Sequence, residues 1–160
     1  MIFVRIDNRL VHGQILEAWI PFIKASRILV VNDVVARDVF RETVIKMSVP
    51  RDIEVIVYSV KEFPGHIFEE NDSRNTIVLF DNVKDSLRAY KSGFQFDRLN
   101  IGNVYCGEEG KFCCAASVSL SKEDIVDIMQ LVDAGVEVEL RCMPKDKPLD
   151  FTEVMKGITF

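Results

Sequence analysis

The stretch RIDNRLVHGQ (5–14) places His12 three residues after Arg9 and five after Asp7, and it holds one of only two histidines in the 160-residue chain. Imidazole is partly neutral at pH 7, so its free nitrogen can act as a nucleophile. A neutral His12 can attack a phosphoryl group in line, with Arg9 holding the equatorial oxygens through charge-assisted hydrogen bonds. The residues after Gly13 have helical spacing, and the free N–H groups of a first helical turn suit an anion. Asp7 can fix either the imidazole or Arg9 by a hydrogen bond, but like charge bars it from the phosphoryl oxygens. The other reading of His12 is a histidine that satisfies a helix end. Arg5 falls within the preceding strand, where its side chain can point away from the site.

Other devices are absent or incomplete. No GxGxxG follows a strand, and no GxSxG occurs. GEEGK (107–111) lacks the earlier glycine of a phosphate loop, since position 105 is tyrosine, and Phe112 stands where Ser or Thr is required. The third strand ends in Tyr58-Ser59-Val60, without the aspartate of a phospho-acceptor receiver domain. His66, in FPGHIF, has no arginine beside it and reads as a loop residue. Cys106, Cys113, Cys114 and Cys142 show neither CxxC spacing nor a Cys/His metal pattern, and are read as reduced, mostly buried thiols.

The elements that must position His12 alternate between two periods. Strands are expected at 2–6, 27–31, 53–59, 76–80, 98–102, 112–120 and 136–142. Helices are expected at 13–25, where Pro21 can kink or shorten the segment, and at 35–49, with Val39, Phe40, Val44 and Met47 on one side. Further helices are expected weakly in the sixties, at 83–93 closed by glycine, and at 121–135, capped by Ser121 and ended by Gly135. This order predicts one α/β domain over residues 1–160, a doubly wound and mostly parallel sheet with helices on both faces. Sites in such sheets lie outside the carboxyl ends of the strands. Asp7, Asn8, Arg9, Asn32, Asp33, Asp81, Asn82, Gly102 and Asn103 gather there, although Asn32, Asp33, Asp81 and Asn82 also have the types of turn and helix-cap residues.

Composition narrows the classes. Hydrophobic residues make up 48% and charged residues 28%, as in ordinary globular chains. The formal net charge of −5 argues against a nucleic-acid-binding face as the main function. No run approaches the roughly 20 apolar residues of a membrane span, and the first residues do not follow the order of a signal peptide. A cytoplasmic protein is expected.

RIDNRLVHGQ, with Trp19 a few residues on, closely resembles the phosphorylation-site motif of the IIB components of the mannose/fructose/sorbose family of the bacterial sugar phosphotransferase system. RILVVNDVVARD (27–38), LNIGNVYCGEEGK (99–111) and SVSLSKEDIVDIMQLVDAGVEVELRCMP (117–144) resemble later parts of the same family. The resemblance implies a doubly wound sheet with one antiparallel edge strand and no metal or organic cofactor. It also implies a protein-phosphohistidine–sugar phosphotransferase. His12 would be phosphorylated on Nδ1 by a phospho-IIA protein and would pass the group to a sugar entering through IIC and IID membrane components. Arg9 would stabilise the phosphoryl group and Asp7 would support the loop, with Asn8, Gly13, Asp33, Gly102 and Asn103 on the rim. The family's Gly-Gly pair reads Gly102-Asn103 here, which puts a side chain on that rim. A regulatory phosphocarrier without a complete transporter would use the same His12, and a metabolite-binding domain would need no covalent step. Exposed Arg5, Arg9, Arg37 or Arg41 would meet an acidic partner surface.

Overall fold

The computed structural model of the chain describes residues 1–64, 72–105 and 112–158. The expected helix in the sixties with His66, the GEEGK stretch and Cys106 lie wholly or mainly outside these residues.

Five parallel strands form the body of the main sheet: β1 (Ile2–Asp7), β2 (Arg27–Val31), β3 (Glu54–Tyr58), β4 (Thr76–Phe80) and β5 (Arg98–Asn103). β8 (Glu137–Leu140) adds in parallel, and the short β9 (Leu149–Asp150) closes the edge antiparallel to it, giving the order β3-β2-β4-β1-β5-β8-β9. This is the expected mostly parallel sheet with one antiparallel edge pair. β2 and β4 are buried at every residue. Their continuous Ile/Leu/Val runs suit strands covered on both faces.

One face is covered by α4 (Val83–Lys91), α5 (Lys122–Asp133) and α6 (Phe151–Lys156), which contribute Leu87, Ile128 and Phe151 to the larger apolar cluster. Ser121 and Asp124 form a reciprocal cap at the start of α5. Gly135 follows its end at φ +96°, which a residue with a Cβ adopts only under strain. The other face is covered by the segment after β1, whose Ile15, Trp19, Ile20 and Ile23 are buried. Helical backbone begins at residues 13–14, Ile15–Trp19 form a π-helical turn, and Ile20–Ile23, α1, return to α-helix. Pro21 sits in the first turn of α1, directly after the π-helical turn, and offers no N–H to the carbonyls of that preceding turn. The expected helix over 13–25 is therefore present over residues 13–23, widened ahead of Pro21, with Trp19 buried and stacked on Phe3 of β1.

Two further expectations change. The segment 112–120 is not one strand of the main sheet but a hairpin, β6 (Phe112–Ala115) with β7 (Val118–Leu120). Helix 35–49 divides into α2 (Asp33–Ala36) and α3 (Val39–Ser48), because Asn32 and Asp38 each cap a new start. The apolar side of α3 does not enter the core: Val39, Phe40, Val44 and Met47 are all exposed. The thiols also depart from the expectation, since Cys114 is buried, Cys142 half-buried and Cys113 exposed.

Candidate functional site

β1 lies between β4 and β5 in the middle of the sheet. The chain leaves β1 toward β2 on one side, whereas it leaves β4 toward β5 on the other. The crevice where strand order reverses therefore lies beside the carboxyl end of β1, at Asp7. The chain turns tightly there. The Leu10 N–H donates to the Asp7 carbonyl at 2.9 Å, and Leu10 takes φ +54°, a region costly for a branched residue. Burial of the Leu10 side chain in the cluster under the π-helical turn holds it there.

Asp7 is the hub of the loop. Its side chain is fully buried, and Oδ2 lies 2.9 Å from both His12 Nε2 and Arg5 Nη2. Its Oδ1 accepts from the Arg9 N–H at 3.1 Å. Burial pushes the Asp7 carboxyl up, but the hydrogen bond from His12 and the Arg5 charge outweigh it, leaving the group below its ordinary value. An ionised carboxylate only accepts, so His12 Nε2 carries the proton and Nδ1 keeps the lone pair. The Gln14 N–H donates to that Nδ1 at 3.3 Å. A neutral His12 thus presents Nδ1, with a backbone donor beside it, while Nε2 is held from behind.

The structure places Arg5 differently from the expectation that it points away or lies exposed. Residues two apart on a strand share a side, so Arg5 points the way Asp7 does. Its guanidinium is fully buried. Nη1 donates to Asn100 Oδ1 at 2.5 Å and to the Arg141 carbonyl at 3.0 Å, and Nη2 also donates to the Cys142 carbonyl at 3.2 Å. Its Cζ lies 4.9 Å from the centroid of the Trp19 ring, and the Trp19 Nε1–H donates to the same Cys142 carbonyl at 3.0 Å. Burial pulls the guanidinium below its ordinary value while Asp7 pulls it up; it remains a cation at neutral pH.

Gly102 explains how so large a group fits. A Cβ there would stand 1.9 Å from Arg5 Cζ. Gly102 is therefore less a rim residue than the space Arg5 occupies. Gly13 is different: a Cβ there would meet nothing within 4 Å.

Arg9 remains half-exposed, its Nη2 donating to Gln14 Oε1 at 2.8 Å and its Nε 3.6 Å from Asp7 Oδ1. Asn8 ties neighbouring strands together: its amide donates to the Asp81 carbonyl at 2.8 Å, its carbonyl oxygen accepts from the Tyr105 N–H at 2.5 Å, and its N–H reaches the Asn103 carbonyl at 2.9 Å. Asn103 thus enters this network through its backbone. Asp33 lies farther along the rim, accepting from the Val60 N–H at 2.8 Å and pairing with Arg88 at 3.3 Å. Asn32 and Asn82 cap α2 and α4. Asp81 is pushed up by burial, with the Asn82 amide 2.5 Å away opposing the shift. Among the described residues, no three His, Cys, Asp or Glu side chains converge as a metal site requires.

The sequence matches the family model for the PTS system sorbose subfamily IIB component over residues 1–159. This chain belongs to that family. The fructose-specific EIIB component of Bacillus subtilis (strain 168) is 31% identical over 160 residues, covering 99% of this chain and 98% of that protein. The sorbose-specific EIIB component of Klebsiella pneumoniae is 31% identical, covering 98% of this IIB chain and 95% of its relative. The mannose-specific EIIAB component of Escherichia coli (strain K12) is 30% identical over 96% of this chain, which spans 48% of that longer protein. The crystal structure of the IIBSor domain of the Klebsiella pneumoniae sorbose permease superposes with a TM-score of 0.88 at 30% identity, covering 100% of this chain and 99% of that one. For manxB of Thermoanaerobacter tengcongensis the TM-score is 0.84 at 28% identity, with 98% and 95% covered. A phosphotransfer role as a IIB component of the sugar phosphotransferase system follows from this membership. Among the described residues no helix is long and apolar enough to cross a membrane.

Two contributors escaped sequence reasoning. Arg5 was legible in principle, because a charge two residues before Asp7 on one strand must share its side. Gln14 bears on Nδ1 through its backbone N–H, and no residue type announces that.

Proposed function

We propose that this chain is a single cytoplasmic IIB unit over residues 1–160 that carries a phosphoryl group on His12 Nδ1, receiving it from a phospho-IIA protein and passing it to a sugar entering through IIC and IID components. The observation that carries the reading is the Arg5–Asp7–His12 chain, which commits Nε2 to a buried carboxylate and leaves Nδ1 as the nucleophile.

In the first step the Nδ1 lone pair attacks phosphorus, the N–P bond of the donor phosphohistidine breaks, and the donor imidazole leaves with that electron pair. Positive charge develops on the His12 ring, whose Nε2–H faces the Asp7 carboxylate. The Gln14 N–H then serves a phosphoryl oxygen instead of Nδ1, and Arg9 turns from Gln14 Oε1 to the same group. Arg9 is exposed and free to make this exchange, whereas Arg5 is pinned and acts on the phosphoryl group only through Asp7. In the second step a sugar hydroxyl attacks phosphorus on the opposite side, the Nδ1–P bond breaks, and the hydroxyl proton passes to a base on the acceptor side.

The test is phosphorylation by phosphoenolpyruvate through enzyme I, the histidine phosphocarrier protein and a family IIA. Wild type should acquire an acid-labile phosphoryl group whose ³¹P and ¹⁵N signals assign it to Nδ1, and His12→Ala should acquire none. Labelling of folded His12→Ala, or a label on Nε2, would refute the assignment.

A further inference from the structure

α3 lies open to solvent along its apolar side. None of its residues is buried, and four large apolar side chains stand out from one side: Val39 at 79% exposure, Phe40 at 77%, Val44 at 50% and Met47 at 81%. The positions 39, 40, 43, 44 and 47 fall on one arc of the helix, and the half-buried Ile45 packs on the other side against the cluster beneath. So the apolar side of α3 is not needed to hold the helix down. Large apolar surface left in water marks an interaction site more often than an accident.

The patch does not stand alone. A groove of about 310 Å³ joins it to the loop after β1, and its walls include Arg9, Leu10, Asn32, Phe40, Arg41 and Val44. The patch and the residues preceding His12 therefore border one continuous depression at the carboxyl ends of the strands. Its walls carry Arg9 and Arg41, both exposed, in a chain of net charge −5. The acidic groups nearby, including Asp81 in the groove wall, already have partners. Asp38 caps α3, Asp81 accepts from the Asn82 amide, and Asp33 pairs with Arg88.

Resting on the phosphocarrier reading, we propose that the exposed side of α3 and the groove beside Arg9 seat the phosphoryl-donor protein, which meets them with an apolar projection ringed by carboxylates. A donor that delivers a phosphoryl group to Nδ1 must cover the ground around His12, and the patch adjoins that ground. Exposed arginines favour a partner that arrives with negative charge, as a phosphorylated donor with a carboxylate-ringed surface does. Seating Phe40 and Val44 in an apolar contact removes them from water without refolding the helix.

The experiment compares wild type with Phe40→Glu/Val44→Glu, with Arg41→Glu, and with Val126→Glu, which changes an exposed apolar residue of α5 on the opposite face of the sheet. Each is phosphorylated by phospho-IIA and, separately, by phosphoramidate, a donor too small to need a seat. Rates are read at limiting donor, and the oligomeric state by sedimentation. The double variant should lose about tenfold or more in transfer from phospho-IIA, since one or two buried aromatic anchors dominate such interfaces. Arg41→Glu should lose severalfold, more at low salt than at high. Both should match wild type with phosphoramidate, and Val126→Glu should match it with both donors. Unchanged transfer from phospho-IIA in the double variant overturns the proposal. So does a wild-type dimer that the double variant dissociates while transfer persists, which would make a second copy the occupant. If wild type accepts phosphate from neither donor, the His12 reading fails and the proposal with it; if it accepts from both and only the variants are indifferent, the seat alone fails.

Discussion

Replacing Gly102 by alanine should invert the usual rule for glycine in a strand. Gly102 lies within β5 and outside the positive-φ region, so its backbone suits any residue. Alanine would ordinarily stabilise such a site by about 0.5–1 kcal/mol, through the backbone freedom glycine loses on folding. Here the new Cβ stands 1.9 Å from Arg5 Cζ, where ordinary contact begins at 3.4 Å. The guanidinium would have to retreat by about 1.5 Å. It is the end of a flexible side chain, but it has nowhere near to go: Asp7, Asn100 and the carbonyls of Arg141 and Cys142 hold it, and Trp19 lies alongside. Retreat breaks a buried ion pair, which costs about 3–5 kcal/mol when one partner is lost. For a domain of this size that corresponds to a fall in Tm of about 10 °C. The assay is urea unfolding of wild type, Gly102→Ala, Arg5→Met and the double variant. If the cost is the collision, Gly102→Ala should be destabilising by about 3 kcal/mol or more in wild type and by less than about 1 kcal/mol once Arg5 is methionine. Equal costs in both backgrounds, or a Gly102→Ala protein as stable as wild type, would refute the claim that Gly102 exists to admit Arg5.

Other expectations rest on the same network. The Asp7 carboxyl lies below its ordinary 3.8 in the folded chain. As pH falls below that value the unfolded chain therefore takes up the proton first, and the stability from ionised Asp7, present in full above it, is lost. Urea unfolding between pH 6 and 2.5 should show Asp7→Asn less stable than wild type near neutrality and less sensitive to acid, and equal acid slopes would count against it. Trp19→Phe removes the 3.0 Å hydrogen bond from Nε1 to the Cys142 carbonyl, which Arg5 still serves, and leaves space beside a fully buried ring; a loss of at least about 0.5–1.5 kcal/mol is expected in thermal unfolding. Ser121→Ala breaks the reciprocal cap on α5 and should cost about 1 kcal/mol while leaving His12 phosphorylation at the wild-type rate.

Much of this chain was legible in one dimension because the determinants are local. Continuous Ile, Leu and Val runs mark strands covered on both faces, Ser121 and Gly135 bracket α5, and the alternation of periods 2 and 3.6 marks a parallel sheet between helices. The spacing of Asp7, Arg9 and His12 singled out the loop, and its resemblance to a family motif agrees with the family match. Tertiary structure decided what lies between residues far apart in sequence. Arg5 reads as a strand charge until Asn100, Gly102 and the carbonyls of Arg141 and Cys142 close around it, because a buried cation survives only where distant groups replace its water. Gly102 reads as a flexible rim position until the guanidinium fills the space a side chain would need. The apolar side of α3 reads as core until the sheet's own helices and the π-helical turn have covered its surface, leaving Phe40 and Met47 outside. Periodicity states that a helix has an apolar side. Only the packing of the whole chain states whether that side faces the core or solvent.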